Sequence, residues 1–185
     1  MPLSPEVLTA NAEVLDRLTW TFDLHFVTEV PLWFSVDGAK AIGRIARDGT
    51  GGVFALVPGS PRVLYVSSEG AAGIVAADLD EFIALIVACP YWRDILHYSG
   101  SGNLDEMRRA AAAQEAGAAD DEELEEARAL LKSELRLTEP ADPVGALHRA
   151  VSTSDVIVRA HGIPFGSLFN HFTIDDNPML RVSAD

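Results

Sequence analysis

The chain has 185 residues, 48% of them hydrophobic and 23% charged, which suits one compact domain large enough to bury a real core. Fourteen basic residues against 28 acidic ones leave a net charge of −14, so phosphate backbones are poor default partners and a basic protein is a good one. The single cysteine, Cys89, excludes an internal disulfide framework and a cysteine-based zinc site. No apolar run approaches the roughly 20 residues of a membrane span, and the opening "MPLSPEVLTANAE" lacks a signal-peptide pattern, so a cytoplasmic protein is expected.

In chain order, Ser4 and Pro5 start a predicted amphipathic helix with Val7, Val14, Leu15 and Leu18 at helical spacing, ending near Trp20. "TFDLHFV" alternates, with Phe22, Leu24 and Phe26 opposed to Asp23 and His25, as a half-buried strand does. "PLWFSVDG" repeats the alternation and places Trp33 opposite Leu32, Phe34 and Val36 before a turn at Asp37 and Gly38.

The stretch "IGRIARDGTGGVFALVPGSPRVLYV" reads as three strands joined by two glycine turns, "RDGTGG" and "PGSP". Gly52 is followed by Val53 and a strand. A phosphate loop would need Lys and Ser or Thr at a helix start, and a dinucleotide fingerprint also needs that helix. Asp78 caps a predicted helix whose Leu79, Phe82, Ile83, Ile86 and Cys89 form one apolar stripe, and Pro90 ends it ahead of Tyr91 and Trp92. Cys89 within that stripe is expected to be a buried, inert thiol.

"IGRIARDGTGGVFALV", "RVLYVSSEG" and "IVAADLDEFIALI", in that order, resemble the central region of the Smi1/Knr4-like (SUKH) superfamily. The likeness runs from Ile42 to about His97, under a third of the chain. It implies an α+β fold, a mainly antiparallel sheet covered by helices, and a non-catalytic role. Bacterial members of the family commonly bind and neutralise toxins, often nucleases; eukaryotic members work in cell-wall regulation through protein partners.

Residues 103–137 read as a helical hairpin, an insertion or C-terminal extension broken around Gly117, with Asp120 or Asp121 capping its second helix. Leu124, Ala127, Leu131 and Leu135 give that helix a face to bury, while Glu122, Glu123, Glu125 and Glu126 crowd its start. "PVGALHRAVS" is a further short helix, and Phe165, Leu168, Phe169 and Phe172 make the tail too apolar to hang free.

The partner-binding candidates are therefore the aromatic anchors Trp33, Tyr91 and Trp92, with the acidic residues Asp48, Glu122, Glu123, Glu125 and Glu126. No cofactor and no metal are expected, because His148, His161, His171, Asp175 and Asp176 lack the paired spacing of a metal helix. Ser154 with Asp155, and Ser67 and Ser68 near Glu69, fit turns and caps better than a nucleophile elbow. The leading expectation is an immunity-type protein that neutralises a toxin, a basic nuclease among them. An acidic regulator or scaffold acting through the hairpin, and a small hydrolase, are the alternatives.

Overall fold

The computed structural model describes residues 2–26, 32–39 and 42–180. Val27 of the first expected strand, Pro31 of the second and the tail beyond Leu180 lie outside the described residues.

The opening helix is two. α1 (Pro5–Ala10) and α2 (Ala12–Trp20) meet at Asn11, whose carboxamide oxygen accepts from the Glu13 and Val14 amides and so restarts the helix in a new direction. The alternation after Trp20 predicts burial well but not a strand: Phe22 and Leu24 are buried, yet Asp23 adopts φ 54° and only His25 pairs, across an isolated bridge to Arg47. A left-handed residue cannot continue an extended ladder.

The remaining elements are β1 (Ser35–Val36), β2 (Gly43–Arg47), β3 (Val53–Leu56), β4 (Val63–Val66), β5 (Ala72–Ala76), α3 (Leu79–Ala88) and α4 (Trp92–His97). They are followed by α5 (Leu104–Gly117), α6 (Glu122–Leu135), α7 (Pro143–Ser152), β6 (Val158–Ala160), β7 (Ile163–Pro164) and a short 3-10 helix (Ile174–Asp176). β2 to β5 form an antiparallel meander in sequence order, and β1, β6 and β7 form a small second antiparallel sheet. The chain is thus α+β, with two small antiparallel sheets packed against helices.

Alternating residues of the meander divide the interior. Phe54, Val63, Tyr65 and Val75 face a main core filled by the helices, whereas Val53, Leu64, Val66 and Ile74 face Phe34, Val36 and Val158 of the second sheet. A sheet covered on both sides has no polar face, which is why "VFAL" and "VLYV" read as unbroken apolar runs. The β5 edge is closed by Gly166, which accepts from the Ala72 amide and donates to the Gly70 carbonyl.

α3 is capped by Asp78, whose carboxylate accepts from the Glu81 amide at 2.8 Å, and it stops at Cys89 before Pro90. Burial pushes the Cys89 thiol up to about 11, as expected of an apolar site. Asp121, not Asp120, caps α6.

The hairpin of α5 and α6 is part of the body rather than an appendage, because Met107, Leu124, Ala127 and Leu131 are buried in the main core. Arg128, 8% exposed, straps it together: its guanidinium donates to Glu115 at 2.9 and 3.1 Å and to Glu125 at 2.6 Å. Replacing Arg128 with Ala is expected to cost about 1–2 kcal/mol, since both exposed carboxylates can return to water. Hydrogen exchange should show faster opening of 104–135 and little change in the meander; uniform change across the chain would contradict this local role.

Candidate functional site

The turn between β2 and β3 houses a buried carboxylate. Asp48 is fully buried, and its Oδ1 accepts from the Thr50 amide (2.9 Å), the Thr50 hydroxyl (2.8 Å) and the Gly52 amide (2.8 Å). Its Oδ2 accepts from the Tyr65 hydroxyl at 2.7 Å and from Arg93 at 3.4 Å. Gly52 must be glycine for packing reasons, because a Cβ there would lie 2.5 Å from Asp48 Oδ2 and 2.7 Å from the Tyr65 oxygen. The glycine-rich loop thus encloses its own carboxylate.

Arg93 continues the network outward. It donates to Asp23 at 2.7 Å and lies over the Trp92 ring, 5.4 Å from the ring centroid. Asp23 in turn accepts from the Gly49 amide at 2.8 Å and sits 3.1 Å from His25 Nε2. Burial alone would raise the pKa of Asp48, but the hydrogen bonds from Tyr65, Thr50 and Gly52 together with the Arg93 charge outweigh it, so the carboxylate is held below its usual range. Burial, and next the Asp48 carboxylate, push the Tyr65 phenol far up. Neither group exchanges a proton near neutral pH, and the arrangement fixes the turn to α4 and presents Arg93 at the surface.

Beside this network opens a cleft of about 380 Å³, between the turn that joins β4 to β5, helix α4, and the chain segment around Leu168. Ser67, Ser68 and Glu69, weighed for nucleophilic chemistry, all line it together with Asp94, His97 and Ser167, whereas Ser154 and Asp155 do not. The Ser67 hydroxyl instead accepts from the Glu69 and Ala71 amides, and no hydrogen bond joins a cleft serine to His97 among the described residues. His97 faces Asn170 (3.4 Å) and stacks on Phe172.

The expected anchors fall in different places. Trp92 is 1% exposed, among Phe54, Tyr65 and Phe82, which corrects the expectation of an exposed ring: the break at Pro90 turns the chain so that α4 begins by burying it. Asp48 likewise faces the interior and cannot meet a partner in this conformation. Tyr91 is half-buried against the main core with its hydroxyl enclosed. Trp33 is 39% exposed, with one side against Phe34 and Phe165. Glu122, Glu123, Glu125 and Glu126 are all exposed on the first turns of α6; Glu123 lies 3.8 Å from Arg17 of α2, and Glu125 engages Arg128.

Sequence reasoning overlooked Trp20. It is 76% exposed at the end of α2, edge-on to His25, on the helix that carries exposed Glu13 and Asp16 and packs beside α6. Its position was readable: Trp20 follows buried Leu18 by two residues, about 200° around a helix and so on the outer face. Of the histidines and aspartates considered for a metal, His148 faces the Gly102 carbonyl and Asp175 accepts from Arg109, and no metal-binding group of three forms among the described residues.

Compared with protein-family models, curated proteins and solved structures, the chain matches none.

Proposed function

We propose that this chain is a non-catalytic protein-binding module of SUKH-like type that captures a basic protein, with toxin neutralisation as its role. The observation that carries the reading is Trp20, an indole left 76% exposed at the end of α2. Asp16 and Glu13 lie about one and two turns before it on the same outer face of α2, and Glu122, Glu123 and Glu126 stand exposed on α6, which packs beside α2. An exposed Trp is costly in water and valuable under a partner, where such rings anchor binding. The acidic surround speeds encounter with a basic surface and rejects phosphate-rich partners.

The antiparallel meander followed by the Asp78-capped helix supports the SUKH-like reading of the fold, and a cytoplasmic protein without cofactor or metal accords with it. The scaffold alternative uses α6 as well. Deleting 103–137 cannot separate the two, since the hairpin supplies core residues, and point substitutions must do so.

The test uses the purified chain and Trp20→Ala as paired baits in a source-cell extract at low and high salt. Trp20→Ala should melt like the parent, because the ring is exposed, while the affinity for a retained basic protein falls by about 30-fold or more. Glu122→Lys with Glu126→Lys should slow association and flatten its salt dependence. Equal retention on all three baits would overturn the reading.

A further inference from the structure

We infer that the cleft beside Arg93 receives an arginine side chain presented by a protein partner. The inference rests on the reading of a basic partner, and it names the residue the partner inserts. At about 380 Å³ the cleft is at the lower end of ligand-binding cavities, the right scale for one long side chain rather than a helix.

Its charge points to a cation. Arg93, the guanidinium of the lining, is already neutralised by Asp23 at 2.7 Å and by Asp48 at 3.4 Å. Glu69, on the turn between β4 and β5, and Asp94, on α4, both line the cleft. Neither carboxylate has a side-chain hydrogen bond or ion pair among the described residues, whereas Arg62, Arg93, Arg108, Arg109, Arg128 and Arg159 are all matched with acids. The cleft therefore holds surplus negative charge on opposite walls.

The rest of the lining suits the stem of that side chain. Leu96, Leu168 and Phe169 give an apolar floor, and Phe169 is held in place between His148, with ring centroids 5.6 Å apart, and Gly102, where a Cβ would lie 2.8 Å from the ring. A guanidinium fits better than an ammonium: it is planar, weakly hydrated, stacks on aromatic faces and can fork between two carboxylates. Half-buried Asn170 and exposed Ser68 complete the polar rim.

The experiment titrates the isotope-labelled full chain with doubly capped arginine and follows amide shifts by NMR. Capped citrulline, the uncharged isostere, and capped lysine serve as comparisons. Arginine should give saturable shifts at 67–69, 93–97 and 167–170 with half-saturation at about 1–10 mM. Citrulline should bind at least about fivefold more weakly, lysine between the two, and Glu69→Gln with Asp94→Asn should abolish the response. Both positions are exposed, so the variant should remain folded, which its amide spectrum reports directly, and Glu69→Gln alone should give a partial loss. Equal shifts with citrulline, shifts confined to other residues, or no saturation would overturn the inference. Trp20→Ala should leave the arginine response intact. Arginine binding without capture of a basic protein would count against the proposed function alone, and capture without arginine binding would count against the cleft alone.

Discussion

Trp92→Ala should lower the stability of the chain by about 3–5 kcal/mol, the usual cost of emptying a large aromatic site in a core. The ring lies 5.0 Å from Tyr65, edge to face, and within 6.1 and 6.3 Å of Phe54 and Phe82. Its removal takes away these pairings together with the surface over which Arg93 lies. At about 2–4 °C per kcal/mol for a chain of this size, the thermal midpoint should fall by about 6–20 °C. Differential scanning calorimetry reads this directly. A midpoint unchanged from the parent would place the ring outside the core and restore it as a surface anchor.

Asp48→Ala should cost a similar amount, about 3–5 kcal/mol, for a different reason. The substitution leaves the Tyr65 hydroxyl and the Gly52 amide without an acceptor in a buried place and removes a counter-charge from Arg93. Asp48→Asn should cost less, since one carbonyl oxygen remains, but its amide group must then face donors on one side. The two variants also report on pH. The folded-state pKa of Asp48 lies below its unfolded value, so its contribution is complete above about pH 4 and is lost as pH falls through the folded pKa. The gap in thermal midpoint between parent and Asp48→Asn should therefore be wide at about pH 7 and shrink toward about pH 2. A gap that stays constant across that range would show that the carboxylate is not charged in the folded chain.

What could be read in advance was local. The Asp78 cap, the stripe from Leu79 to Ile86 and the stop at Pro90 lie within a dozen residues, and α3 follows from them. The strands either side of "PGSP" are marked by their turn. β5 escaped notice because "AGIVA" carries two alanines and a glycine, weak strand formers; Gly73 is tightly packed, since a Cβ there would lie 3.2 Å from the Leu168 side chain. That constraint comes from a segment almost a hundred residues away. Asp48 illustrates the same limit: its partners Tyr65 and Arg93 are 17 and 45 positions along the chain, so a turn aspartate gave no hint of being buried. The cleft, too, is made by three segments that only the fold brings together. Trp20 is the opposite case, an outward-facing residue that helical phase alone identifies.

Photo-crosslinking from position 20 inside source cells tests the binding surface most directly, with a photoreactive phenylalanine in place of Trp20 and, as the comparison, in place of Ile163, which is 69% exposed on β7 of the small sheet. The account predicts one basic protein attached at position 20 and absent at position 163. Attachment at position 163 alone, or the same products from both, would contradict it and move the binding surface away from α2 and α6.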